Sequence, residues 1–350
     1  MSHFHPLRVC QIEKNTPGSV TVTFEIPEDL QEAFHHKAGQ YITIKKEFDG
    51  KEIRRSYSIC SPPSGNRLSV GIKKIRDGLF SRYANEVLSA GDVLEVHSPE
   101  GHFTFIPDAA RARTIGAFAA GSGITPVMGI MKTLLHEEPQ SHFVLVYGNR
   151  SAAETMFQNE ITALAAAYPD RLTVYYIYSR SEEDHALFGR IERATVNYVI
   201  KNKQKDTTFD AFYLCGPEEM IHTVSDTLKE SGVPAENIHF ELFTSSAEEQ
   251  PLDENLDGQT RVKLIVDDEE FEFTMPQSER VLDAALARDI DVPFSCQGGI
   301  CSSCMARITE GEVKMVKNQI LTDGEIAEGF VLTCQSHPVT SSITVDYDDV

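Results

Sequence analysis

Cys296, Cys301, Cys304 and Cys334 are spaced C-x4-C-x2-C with a long gap before the last, the ligand spacing of a plant-type [2Fe-2S] centre. Such a centre carries electrons one at a time. Between the first three thiols lie Gln297-Gly298-Gly299-Ile300 and Ser302-Ser303, mostly small residues that let a backbone curl closely and aim N–H groups at sulfur. A structural zinc site, disulfides or unrelated buried thiols are the alternatives. Zinc usually takes two short-spaced pairs, and only Cys301 and Cys304 make one.

A second chemistry-bearing segment is Gly121-Ser122-Gly123-Ile124-Thr125-Pro126, which follows an apolar strand and opens a helix. Strand, glycine turn and helix N-terminus together bring free N–H groups to a pyrophosphate, and proline suits the first helical turn, where no donor is needed. The motif alone is often just a tight turn. A third set is Arg55-Ser56-Tyr57-Ser58: an arginine for phosphate, an aromatic face for a flat ring and a hydroxyl for a ring nitrogen, or else an ordinary half-buried strand. Gly78-Leu79-Phe80-Ser81 opens another helix able to meet phosphate.

These segments need scaffolds. Short strands at Leu7–Glu13, Val20–Ile26, Tyr41–Lys45, Ile53–Ser58, Leu68–Lys74 and Val93–Val96, with one helix from about Phe80 to Leu88, predict an antiparallel β-barrel. From Thr114 onward, apolar strands near Ile115–Ala120, Phe143–Tyr147, Leu172–Tyr178, Ala211–Cys215 and Ile238–Phe243 alternate with helices beginning near Val127, Thr155, Glu192 and Glu218, predicting an α/β doubly wound parallel sheet. A polar, acidic stretch reads as a linker over 245–260. Beyond it, strands at Val262–Val266, Glu270–Phe273 and Ile343–Asp346 and a helix at Val281–Arg288 frame the cysteine loop. The expected domains are therefore 1–108, 109–244 and 261–350.

The 350 residues carry a net charge of -21. From Ser245 onward there are 22 acidic and 7 basic residues, so the cysteine-bearing part holds -15 of it. That excludes nucleic acid as an expected partner and leaves two readings, docking on a basic protein surface or simple solubility. No apolar run approaches a membrane span, and Met1 to Leu7 lack the features of a signal peptide, so no membrane partner and a cytoplasmic location are expected. Seven cysteines, an odd number, fit a reducing compartment. Cys10 and Cys60 are assigned to packing, and His3 and His5 to a mobile terminus without metal.

Taken together with Tyr147-Gly148-Asn149-Arg150, Cys215-Gly216-Pro217 and Val331-Leu332-Thr333-Cys334-Gln335, these motifs resemble the ferredoxin–NADP reductase superfamily in the order flavin domain, nicotinamide domain, plant-type (β-grasp) ferredoxin. The resemblance covers essentially the whole chain. It implies an NAD(P)H-dependent oxidoreductase that passes electrons through FAD and a [2Fe-2S] cluster to an oxygenase component. It implies that Arg55 pairs with the flavin pyrophosphate, with Ser56 beside it, that Tyr57 lies against the isoalloxazine, and that Ser58 bonds near N5. Gly78, Phe80 and Ser81 would cap the pyrophosphate. Gly121, Gly123, Thr125 and Pro126 would hold the nicotinamide dinucleotide, with Cys215, Gly216 and Pro217 lining the nicotinamide pocket; Ser58 and Cys215 are the catalytic candidates. Cys215 also reads as a small residue ending a buried strand. Ser179 and Arg180 suit a 2′-phosphate and favour NADPH, with NADH the alternative because Glu182, Glu183 and Asp184 lie close by. FMN serves some reductases of the same domain order.

Overall fold

A computed structural model describes residues 4–243 and 256–350. Two compact units contain them, one running from Phe4 to Phe243 and the other lying in the C-terminal region.

The first unit opens with six strands, β1 (Phe4–Thr16), β2 (Ser19–Glu25), β3 (Tyr41–Phe48), β4 (Lys51–Ser58), β5 (Arg67–Lys73) and β6 (Val93–His97), and one helix, α1 (Leu79–Glu86). They pair antiparallel in the order β4-β3-β6-β1-β2-β5. An isolated bridge from Ile59 to Val70 draws the two ends together into the expected barrel. The period-two pattern explains it: Leu7 and Val9, Val20, Val22 and Phe24, Ile42 and Ile44, Val70 and Ile72 all point inward and are buried. Each such side chain contributes roughly 1.5–3 kcal/mol by leaving water. β1, β3, β4 and β6 run longer than expected, while β2 and β5 keep their expected length, shifted back by one residue. His5 is part of β1, paired with Val96 and edge-on to Phe34, so it does not lie on a mobile end. His3 lies outside the described residues.

The second half of this unit is a parallel sheet of β7 (Thr114–Ala120), β8 (His142–Asn149), β9 (Leu172–Tyr178), β10 (Leu187–Phe188), β11 (Ala211–Gly216) and β12 (Ile238–Leu242), ordered β10-β9-β8-β7-β11-β12. Its helices are α2 (Ile124–Glu137), α3 (Gln158–Ala167), α4 (Arg193–Asn197) and α5 (Glu218–Glu230). The two centre strands are apolar on both faces, as a sheet covered by helices requires. α2 begins three residues before its expected start, taking Pro126 into its first turn. It is buried almost all round because it lies between this sheet and the barrel. A Cβ added at Gly129 would stand 2.8 Å from the Ile59 carbonyl oxygen, so the two layers meet at backbone distance there. α3 begins at Gln158, later than expected, because Phe157 adopts a left-handed backbone that interrupts the turn after Thr155.

The C-terminal unit holds β13 (Gln259–Val266), β14 (Glu269–Pro276), α6 (Val281–Leu286), β15 (Met305–Glu310), β16 (Val313–Met315), α7 (Asp323–Ala327), β17 (Phe330–Leu332), β18 (Ser336–Pro338) and β19 (Ser342–Asp346). Its main sheet is ordered β14-β13-β19-β15-β17, with α6 buried against it. β13 claims Gln259 and Thr260, so the expected linker ends earlier than its composition suggests; residues 244–255 lie outside the described residues. β15 through β18 escaped the sequence reading because three of those four strands are only three residues long.

Candidate functional site

Between barrel and parallel sheet, four segments distant in sequence converge. Ser58 ends β4, buried, and its Oγ donates to Glu241 Oε2 at 3.2 Å. Glu241 lies on β12 beside Cys215 of β11, to which it is registered. A Cβ on Gly123 would fall 2.1 Å from the Cys215 carbonyl oxygen, so the glycine turn presses on the same strand end. Burial raises the Glu241 carboxyl to about 8, and the Ser58 hydrogen bond only partly offsets that. Burial, with the Glu241 charge second, also lifts the Cys215 thiol well above its usual range, so Cys215 is a neutral thiol here. Sequence reasoning missed Glu241; the available signal was one carboxylate between the apolar Phe240 and Leu242 of the strand Ile238–Leu242.

Tyr57 is half-buried beside Ser58, with its ring 5.7 Å from that of Phe80 and tilted by 37°. Phe80 itself is buried, so its ring backs Tyr57. Arg55, two residues before Tyr57 on the same strand, is exposed and makes a 2.6 Å bond to the Arg54 carbonyl. Ser56 Oγ pairs across β3 with Thr43 Oγ1 at 3.1 Å. Gly78 caps α1 without a side chain, and a Cβ there would meet Ser81 Oγ and Ile75 at 2.4 Å. The Ser81 hydroxyl is turned into its own loop, donating to the Gly78 carbonyl at 3.2 Å and accepting from the Ile75 N–H. An exposed guanidinium, a half-buried aromatic ring and an uncapped helix start fit a dinucleotide flavin.

The turn at Gly121 is tied down by Tyr147, whose hydroxyl donates to the Gly121 carbonyl at 2.9 Å, and Thr125 Oγ1 donates to the Ser122 carbonyl at 3.0 Å. Lys73 Nζ would lie 3.7 Å from a Cβ on Gly121, a cation at the glycine turn that the sequence reading did not single out. Gly216 packs on Ala120 and Met220, and Pro217 caps α5. Ser179 and Arg180 leave β9 with their N–H groups on the Asn149 and Arg150 carbonyls, and the Arg180 side chain is exposed. Glu182, Glu183 and Asp184 all point to solvent. The next hydroxyl, Ser181 Oγ, is buried without a hydrogen-bond partner among the described residues, which suits a polar ligand at this sheet edge.

In the C-terminal unit the four thiols come together. Cys301, Cys304 and Cys334 are buried and Cys296 is half-buried. Hydrogen bonds from Cys301 and Cys334 hold Cys296 far below the ordinary thiol range, while Cys301 and Cys334 are raised as the donors. The Gly298 N–H also reaches Cys296 Sγ at 3.3 Å. Among the described residues no group of three or more His, Cys, Asp or Glu side chains closes on a single metal ion. The thiols are joined by hydrogen bonds between Cys296 and Cys301, Cys296 and Cys334, and Cys304 and Cys334, and four thiols in one cluster fit the all-cysteine ligand set of a [2Fe-2S] centre.

Residues 6–105 match the oxidoreductase FAD-binding domain family, 118–226 the oxidoreductase NAD-binding domain family, and 264–339 the 2Fe-2S iron-sulfur cluster binding domain family. The chain is 39% identical over 352 residues to one of the subunits of the 1,2-phenylacetyl-CoA epoxidase of Escherichia coli (strain K12), covering 99% of each. It is 31% identical to the ferredoxin reductase component of 3-ketosteroid-9-alpha-monooxygenase from Rhodococcus rhodochrous, covering 97% of this chain and 96% of that one. Its fold is similar to that of phthalate dioxygenase reductase, with a TM-score of 0.61, 23% identity and 98% of each chain covered. No helix among the described residues is long and apolar enough to cross a membrane.

Proposed function

The chain belongs to the three-domain FAD, NAD(P)H and [2Fe-2S] reductase components of oxygenases, and from that premise we propose that it supplies electrons to an oxygenase of the phenylacetyl-CoA epoxidase type. The observation that carries the choice of oxygenase is the 39% identity over 99% of both chains, against 31% for the steroid monooxygenase component.

A flavin bound in the barrel domain would supply the exchange between two-electron hydride chemistry and one-electron transfer, and a [2Fe-2S] cluster the one-electron path that follows it. In this reading Arg55 and the α1 N-terminus at Gly78 to Ser81 hold the flavin pyrophosphate, with Ser56 bracing the strand. Tyr57, backed by Phe80, covers one face of the ring system. Gly121, Gly123, Thr125 and Pro126 seat the dinucleotide, Gly216 and Pro217 shape the nicotinamide end, and Arg180 with Ser179 selects NADPH through the 2′-phosphate. Ser58 and Cys215 flank the reacting positions as neutral donors. Glu241, protonated at neutral pH, keeps a proton at a carboxyl in hydrogen-bond reach of Ser58. Cys296, Cys301, Cys304 and Cys334 ligate the cluster, and the acidic surface around them docks on a basic face of the oxygenase.

The test is turnover of phenylacetyl-CoA by the purified epoxidase oxygenase component with NADPH and this chain. Coupled NADPH consumption and epoxide formation are expected. Reduction of a 3-ketosteroid oxygenase component in place of the epoxidase would overturn the choice.

A further inference from the structure

Gln335 follows the last cysteine and is 1% exposed. Its amide nitrogen lies 2.7 Å from the Cys334 carbonyl oxygen, 3.1 Å from the Gln297 carbonyl oxygen and 3.7 Å from Cys334 Sγ. Two carbonyl acceptors fix which end of the amide is nitrogen, since a carbonyl cannot donate. One side chain thus reaches both ends of the ligand set, 38 residues apart. Gln297 has a left-handed backbone between Cys296 and Gly298, so holding its carbonyl also holds the Gly298 N–H that points at Cys296 Sγ.

The other end of the same amide is costly. Gln335 Oε1 is buried with no hydrogen-bond partner among the described residues, a desolvation cost that nothing offsets. A methionine or leucine would fill the space without it, so what the amide contributes lies in its N–H donors. Space for its stem is left by Gly299, where a Cβ would come within 3.0 Å of Gln335 Cγ.

We propose that Gln335 is a positioning residue that sets the reduction potential of the cluster, by clasping the Gln297 loop to Cys334 and sharing one of its two N–H donors between a carbonyl oxygen and the Cys334 sulfur. Donors to ligand sulfur favour the more negative, reduced cluster and raise its potential. Gln335 therefore makes each one-electron delivery from the flavin more favourable. This rests on the four cysteines being the ligands.

The experiment is a dye-equilibrated redox titration of the full-length holoprotein, following the cluster by EPR and the flavin by absorbance. In Gln335→Met the cluster midpoint becomes more negative. At fixed poise the reduced-to-oxidised ratio falls by about five- to tenfold, a tenfold change being about 59 mV for one electron. The flavin midpoint stays where it was. Gln335→Glu, which keeps the shape but loses the donors, moves the cluster at least as far. A fully loaded Gln335→Met cluster with the wild-type midpoint would overturn the proposal. So would failure of both variants to load iron, since Gln335 would then be a folding residue. Absence of a cluster signal in the wild-type protein would instead sink the cysteine assignment.

Discussion

The Ser58 hydroxyl and the Glu241 carboxyl, 183 positions apart, form one buried hydrogen bond of 3.2 Å between the barrel and the parallel sheet. Burial of the Glu241 carboxyl gives the site its pH behaviour, and the Ser58 bond partly offsets it. Glu241 ionises near 4.5 when unfolded and near 8 in the folded chain. Between those values the folded state holds a proton that the unfolded state has lost, so stability falls as pH rises through that window and levels off above it. The loss is on the order of 4–5 kcal/mol at 1.36 kcal/mol per pH unit. Denaturant midpoints from pH 4 to 9 should decline in the wild type and flatten in Glu241→Gln. Because the Ser58 bond lowers the Glu241 value, Ser58→Ala should push the alkaline limb of flavin reduction to higher pH and slow hydride transfer about tenfold or more. A stopped-flow pH series reads both; an unshifted limb would separate Glu241 from that step.

Cys304 is 1% exposed and linked to Cys334. Cys304→Ser should abolish or greatly weaken the EPR signal of the reduced cluster while flavin absorbance is retained. An unchanged signal would remove Cys304 from the ligand set.

In the proposed reading Arg180 would offer NADPH a charge-assisted contact that NADH lacks. Arg180→Ala should raise KM for NADPH by about tenfold or more and leave NADH nearly unchanged. Equal effects on both coenzymes would make it a structural arginine.

Residues 4–243 have their own cores in barrel and sheet, separate from the apolar cluster of the C-terminal unit. A chain ending at Phe243 should fold, bind flavin and pass electrons from NADPH to ferricyanide, while delivery to the oxygenase collapses. Full activity of that truncated chain with the oxygenase would contradict the proposed electron path.

The excess of 22 acidic over 7 basic residues from Ser245 onward gives the docking proposal a salt signature. Electron delivery to the oxygenase should slow as ionic strength rises, with the NADPH to flavin step changing less. A rate that is flat or rises with salt would leave the acidic face to solubility alone.

What could be read from the chain by itself was local. The cysteine spacing, the Gly121 to Pro126 turn, the Arg55 to Ser58 strand and the period-two and period-3.6 patterns all lie within stretches whose chemistry depends on near neighbours, and they were enough to predict three domain types in order. Boundaries drifted where one residue redirected the backbone, as Phe157 does before α3, and where strands were too short to carry a period, as in β16 to β18. Only the tertiary structure brought Glu241 to Ser58, because that contact depends on β12 pairing beside β11 and on both strand ends facing the barrel. It alone put Gln335 across the cysteine loop, and Lys73 against the Gly121 turn. Such contacts are set by which layers pack face to face, a long-range property that the order of residues specifies but does not display.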